Sequence, residues 1–342
     1  MEVNAFRVSP AACIVAAACL WLIPAPSSGL AAGQVSKTSR VSRTSVMVAC
    51  QRAVSGRDPN PDTRNPDYLA EKLLDAELMA LVPACADLQR PFEEVFAEYL
   101  QRQARGFFAV VARTKHIDQS LQASLAEGVR QVVILGAGLD SRAYRMGPDH
   151  SGVRFFEVDL PATQEDKKQR VVRLLGTLPR NVIYVPVDFE RQSVGTRLSE
   201  AGFRADHPAF FVWEGVTMYL SAEAVDATLN YIARGTAPGS SIIFDYVPAG
   251  VIDGTSTEPP AVRARRLEML KRFGEPWLFG VPDGGIGDLA GKHGLELVSN
   301  LRIRELWDRY LRAGTADAIL GEADPEGGVA LARVTARQVI EW

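Results

Sequence analysis

Two glycines and five acids hold the positions that could do chemistry in this chain. Gly136 and Gly138 follow an apolar run directly in "VVILGAGLDSRAYRM" (132–146). A strand that turns through glycines leaves bare peptide at its end, on which a flat or extended ligand can lie. A GxG turn alone is common to nicotinamide, flavin and S-adenosylmethionine sites, so its neighbours must discriminate. A dinucleotide fingerprint wants a third glycine where this chain has Ser141. Asp140 sets a carboxylate at the mouth of the loop, which repels a pyrophosphate but tolerates a sulfonium or ammonium. Asp140 and Ser141 equally suit plain capping of a following helix.

The remaining acids close other apolar runs. Asp159 ends "FFEVDLP" 21 residues after Gly138, where a carboxylate accepts hydrogen bonds from ribose hydroxyls. Glu157 lies two residues earlier on the same face by strand alternation and is the alternative ribose acceptor. Asp188 in "VPVDFE" can accept from an adenine amino group, and Phe189 can pack on the ring. Glu214, in "FFVWEGVTMYL", arrives at the crevice where open α/β folds bind ligands. A buried acid there needs a partner, either a cationic group of a ligand or an arginine of the chain itself.

These residues need strands to carry them. Seven short apolar runs (131–135, 154–158, 182–187, 209–213, 241–246, 295–299 and 329–334) alternate with helical stretches, which suits strands buried on both faces and a doubly wound α/β sheet. Upstream, "PDYLAEKLLDAELMALV" spaces Leu69, Leu73, Leu74, Leu78 and Leu81 as one amphipathic helix. A second helical stretch begins at Phe92 and runs towards the glycine loop. Residues 34–57 carry Lys37, Arg40, Arg43, Arg52 and Arg57 with no acid between them, a pattern expected of a solvated arm.

Composition sets limits. The 342 residues are 47% hydrophobic with a formal net charge of −3, so no basic field points to nucleic acid. Four cysteines without CxxC spacing and four scattered histidines indicate neither a disulfide framework nor a metal site. The first 33 residues, with an apolar stretch from Ala11 to Ile23, resemble a signal peptide; an apolar packing helix and an unused upstream start are the alternatives. After removal of such a leader no membrane partner is expected. The domain reading is therefore a leader (1–33), an arm and helical cap (34–125), and an α/β domain (126–342) with an insert at about 247–285.

Taken in order, "GAGLDSRAYR", "FEVDLP", "VPVDF", "WEGVTMYL" and "GEPWLFG" resemble the leucine carboxyl methyltransferase family of S-adenosylmethionine-dependent enzymes. The resemblance implies a Rossmann-like class I methyltransferase with a seven-stranded, mostly parallel sheet, helices on both faces and an N-terminal helical cap. It implies S-adenosyl-L-methionine as cofactor, with Gly136 and Gly138 against it, Asp159 on the ribose, Asp188 and Phe189 on the adenine, and Glu214 at the amino end of the methionine. Arg113, in "ARTKHID", would hold the methionine carboxylate, and Arg52, in "VACQRAV", is a looser match to the family's upstream basic residue. The leader departs from the pattern, because the cofactor is cytoplasmic while a leader points to export or membrane targeting.

Methyl transfer from a sulfonium needs alignment more than acid–base machinery. A carboxylate acceptor, on a small molecule or a protein, is already ionised at neutral pH and needs no base. A hydroxyl acceptor needs one, and Tyr219 and His116 are the nominees. The insert and N-terminal helices are expected to form the acceptor pocket, with Arg263, Arg265, Arg266, Lys271 and Arg272 either drawing in an anion or forming a wet helix face. Two rivals remain: a short-chain dehydrogenase binding NAD, whose Tyr-x-x-x-Lys pair occurs here only at Tyr68 and Lys72, ahead of the glycine loop, and a non-catalytic Rossmann-type binding module.

Overall fold

The computed structural model describes residues 41–335 apart from 103, 257, 283–284 and 322–326, so the leader lies outside the described residues. Seven strands, β1 (Gln131–Leu135), β2 (Arg154–Asp159), β3 (Val182–Pro186), β4 (Phe210–Trp213), β5 (Ser241–Tyr246), β6 (Leu295–Arg302) and β7 (Gly328–Val334), form one sheet in the order β3-β2-β1-β4-β5-β7-β6. The pairs β3–β2, β2–β1, β1–β4 and β4–β5 are parallel, and β7 runs antiparallel to both β5 and β6.

Strand alternation divides the core in two. Val132, Ile134, Phe155, Phe210 and Val212 pack into one layer, while Val133, Leu135, Phe156, Val158, Phe211 and Trp213 pack into the other. Because both faces are covered, every residue of β1 and β4 is buried, which is why these runs read as continuous rather than alternating hydrophobicity. The first layer continues into the N-terminal helices through Val46, Cys50, Leu73, Phe108, Ile117 and Leu121. The cap therefore shares a core with the sheet. Among the described residues no helix is long and apolar enough to cross a membrane.

Three expectations upstream of β1 are corrected. The single helix from Pro66 is broken into a 3-10 turn (Glu71–Leu73), a short α-turn (Ala76–Met79) and a second 3-10 stretch (Pro83–Gln89). Leu74 is extended, and Asp75 caps the α-turn by accepting from Leu78 N at 3.0 Å while pairing with Arg170 at 2.6 Å. Leu69, Leu73, Leu74 and Leu78 are buried and Leu81 is half-buried, so burial was largely legible and helicity was not. The stretch from Phe92 folds as two helices, Phe92–Gln101 and Arg105–Ala126, turned on each other so that the Tyr99 and Phe107 rings meet edge-on at 4.5 Å. Within the described residues the basic arm is a helix from Arg43 to Ser55, with Ser42 as its side-chain cap and Arg52 buried, while Lys37 and Arg40 lie outside the described residues.

The cysteine reading is corrected as well. Cys50 and Cys85, 35 residues apart, form a disulfide that ties the helix Arg43–Ser55 to the stretch Pro83–Gln89. Both side chains are buried, and only the packing of these two segments brings them together.

Candidate cofactor-binding site

The parallel pairing of β1 to β5 brings their carboxyl ends to one edge of the sheet. Gly136 (φ +67°) and Gly138 (φ +39°) form the turn after β1, in the left-handed region that favours glycine. Space forbids a side chain too: a Cβ on Gly136 would lie 2.3 Å from Val216 Cγ2, and one on Gly138 would lie 2.8 Å from Ser45 Oγ. Backbone bonds from Gly136 N and Ala137 N to Val158 O (2.8 and 3.0 Å) hold the turn.

Asp159 fastens the same loop. Its Oδ2 accepts from Gly138 N at 2.5 Å and its Oδ1 from Leu160 N at 2.7 Å, which leaves lone pairs on each oxygen for hydroxyl donors. Burial raises its pKa, opposed by those two amides. Glu157, the alternative, is wholly buried, taken up by Lys167 Nζ (2.8 Å) and the Tyr144 hydroxyl (2.9 Å), and so faces the interior. On the adjoining strand, Val187 N donates to Asp159 O at 2.8 Å and brings Asp188 and Phe189 alongside. Asp188 accepts from Glu190 N at 3.1 Å and is part-exposed, and Phe189 packs against the second core layer.

Glu214 meets guanidinium groups of the chain. Its carboxylate lies 3.1 Å from Arg52 Nη2, 2.8 Å from Arg113 Nε and 2.7 Å from Arg142 Nη1. Burial pushes its pKa up, but the three arginines outweigh that and hold it well below the ordinary carboxylate range. Of the two kinds of partner open to this acid, arginines of the chain are the ones the fold itself supplies. Arg113 is not a surface residue, since its Nη1 also donates to Asp245 at 2.6 Å and its Nη2 lies against Gly215, where an added Cβ would approach to 3.2 Å.

Sequence reasoning missed the network around this hub. Arg142 also pairs with Asp118 (2.6 Å) and Asp140, and Arg145 with Asp118 (2.8 Å) and Asp67 (3.5 Å). Arg52 approaches Asp67 at 3.7 Å, and Asp245 accepts from Gly215 N at 2.6 Å. Four arginines thus face five carboxylates (Asp67, Asp118, Asp140, Glu214, Asp245). Arg142 and Arg145 lie in the quoted glycine motif, and their buried i, i+3 spacing was the available signal. Asp140 turns inward to accept from Arg142 N at 2.7 Å, and Ser141 donates to Asp67, so neither stands open at the loop mouth.

Two buried donors here have no hydrogen-bond partner, Arg52 Nε and Arg142 Nη2. An unmet buried donor costs about 1–3 kcal/mol, which an anionic ligand group can offset. Bare peptide at β1, a carboxylate at β2 and unmet guanidinium donors beside β4 fit a zwitterionic, adenosine-bearing cofactor.

Of the nominated bases, Tyr219 is half-buried beside Thr44 and Trp277 with its pKa raised by partial burial. His116 points to the Tyr310 hydroxyl at 3.0 Å, and burial lowers its pKa to about 4. Among the insert bases, Arg263 donates to Gly254 O (2.9 Å), Arg272 pairs with Glu268 (3.0 Å), and Arg266 pairs with Glu258 and stacks on Trp277. Arg265 and Lys271 are exposed on the helix Pro260–Phe273. The insert is tied to the cap by Glu275, which accepts from Arg43 N (2.8 Å), Thr44 N (3.2 Å) and Ser42 Oγ (3.0 Å) at the start of the helix Arg43–Ser55. Among the described residues no group of three His, Cys, Asp or Glu side chains could hold a metal.

A sheet of this order with β7 reversed, and a glycine turn at β1, defines the class of Rossmann-like methyltransferases. The crystal structure of a Thermobifida fusca protein ascribed methyltransferase activity shares the fold, with a TM-score of 0.52 at 16% identity, covering 82% of this chain and 98% of that one. The leucine carboxyl methyltransferase family profile matches residues 45–233. A Mycolicibacterium vanbaalenii protein ascribed S-adenosyl-L-methionine-dependent methyltransferase activity is 34% identical over 294 residues, covering 85% of this chain and 93% of its own. A Mycolicibacterium gilvum protein of the same ascription is 36% identical over 217 residues, covering 63% and 68%. The chain belongs to the leucine carboxyl methyltransferase family and is an S-adenosyl-L-methionine-dependent methyltransferase. The dehydrogenase and binding-module readings give way to that membership.

Proposed function

We propose that this methyltransferase esterifies a carboxylate, on a small molecule or a protein, by in-line methyl transfer to one of its oxygens. Bound S-adenosyl-L-methionine supplies a methyl group on a sulfonium whose carbon–sulfur pair leaves with sulfur as the new carbon–oxygen bond forms. Asp159 accepts from the ribose hydroxyls, and Asp188 and Phe189 take the adenine. Gly136 and Gly138 give the bare surface. Arg113 and Arg52 take the methionine carboxylate, and Glu214 keeps both guanidinia in place at the amino end of the methionine.

The observation that carries the carboxylate reading is the state of the two nominated bases. A hydroxyl acceptor must lose a proton, yet Tyr219 has a raised pKa and His116 is a weak base turned towards Tyr310. A carboxylate arrives already ionised. The test is incubation with methyl-labelled cofactor and cell extract, followed by alkali. Label released as methanol supports the ester, whereas alkali-stable label on an ether or amine overturns it.

A further inference from the structure

Behind the glycine loop lies a buried ion pair that the methyl-transfer reading does not use. Lys167, on the helix Pro161–Leu175, is 2% exposed, and Glu157 on β2 is fully buried. Lys167 Nζ donates to Glu157 Oε1 at 2.8 Å and to Ala137 O at 3.3 Å. Ala137 is the residue between the two glycines, and the same carbonyl accepts from Asp140 N at 2.7 Å. Tyr144 donates to Glu157 at 2.9 Å, and the Tyr144 and Tyr184 hydroxyls lie 3.1 Å apart. Gln164 Nε2 pins the helix to β2 through Glu157 O at 2.6 Å.

A lysine is almost never fully buried unless a partner repays its desolvation. This one reaches a backbone carbonyl of the loop on which a ligand would lie. We propose that Lys167 is a positioning residue for the cofactor loop, holding Ala137 while Glu157 balances its charge, so that the pair sets both cofactor affinity and the preference between the cationic donor and its neutral product. The proposal rests on the glycine loop being the cofactor cradle.

The charge argument gives a sign. With Glu157 ionised the pair is neutral; with Glu157 protonated a lone ammonium remains behind the loop and opposes the sulfonium of S-adenosyl-L-methionine, but not the uncharged sulfur of S-adenosylhomocysteine. Burial raises the Glu157 pKa to about 7, against the pull of Lys167 and Tyr144 and with Asp140 adding to the rise, so the change falls in an accessible range. Lys167, Tyr144, Tyr184 and Asp140 are the charged and titratable groups facing it, and of these the tyrosines stay neutral there because their own pKa values are raised.

The experiment is calorimetric titration of the full chain with both ligands from pH 6 to pH 8, for wild type, Lys167→Met and Glu157→Gln. Wild-type protein that binds neither ligand removes the cradle reading itself. Given wild-type binding, Lys167→Met is expected to weaken both ligands about tenfold. The ratio of the two dissociation constants, which cancels titrations that both ligands share, should rise several-fold towards pH 6 in wild type and stay flat in Glu157→Gln. Unchanged affinity in a folded Lys167→Met protein overturns the proposal. Should that variant fail to fold, the ratio decides: a flat wild-type ratio, or a Glu157→Gln ratio that still follows pH, overturns it.

Discussion

Replacing Asp159 by Ala separates two jobs that the structure gives to one carboxylate. In the free protein its oxygens accept from Gly138 N at 2.5 Å and Leu160 N at 2.7 Å, so the variant loses two charge-assisted bonds that shape the loop. In the complex it also loses the ribose hydroxyls, each such bond being worth about 1.5–3 kcal/mol when made to a charged group and less where solvent competes. Because water replaces the carboxylate in the variant, the net loss expected is about 1–3 kcal/mol in affinity for S-adenosylhomocysteine and not the sum of the separate bonds, roughly 5- to 150-fold in Kd. Loop loosening and ribose loss are told apart by titrating a 2′,3′-dideoxy analogue beside the natural ligand. Wild type should prefer the natural ligand by most of that amount, and Asp159→Ala should bind the two almost equally. A variant that still discriminates between them as wild type does would refute the ribose assignment, whatever its absolute affinity.

Removing the central charge with Glu214→Gln should destabilise the fold by about 3 kcal/mol, the low end for breaking a buried ion pair. The low end applies because Arg113 keeps Asp245 at 2.6 Å and Arg142 keeps Asp118 at 2.6 Å; urea midpoints check it, and an unshifted midpoint contradicts it. Gly136→Ala should cut S-adenosylhomocysteine affinity about tenfold or more, through a strained φ and displacement of Val216. Tight binding in that variant would show that the loop is not the cradle. The folded His116 pKa of about 4 lies below its ordinary 6.5, so its contribution to stability is complete above pH 6.5 and is lost as pH falls towards 4. Urea unfolding at pH 7 and pH 5 should accordingly show a larger loss for wild type than for His116→Gln, and equal losses would dismiss the histidine.

The strands were legible because a run buried on both faces reads the same in sequence and in space: 241–246 is β5 to the residue, and β1 agrees likewise. The acids at strand tips were legible as positions, but the bond from Gly138 N to the Asp159 carboxylate was not. Partnership was not. Glu214 needs a partner by its burial alone, but the three arginines it meets lie 72 to 162 residues away in the chain, and no local pattern encodes that meeting. The same holds for Cys50 with Cys85, and for Lys167 beneath Ala137. The broken stretch after Pro66 failed for a different reason: leucine spacing records which side chains are buried, while Asp75 spends its carboxylate on a cap and on Arg170, which starts a new turn at Ala76 instead of continuing one helix.

The central claim is that bare peptide at Gly136 and Gly138, with Asp159 behind it and Arg113 beyond, receives the adenosyl cofactor. A crystal structure of the protein with S-adenosylhomocysteine tests it most directly. The account predicts ribose hydroxyls within about 3 Å of the Asp159 carboxylate and the ligand's own carboxylate against Arg113 or Arg52. The ligand bound elsewhere, or turned with its adenine towards the arginines, would contradict it.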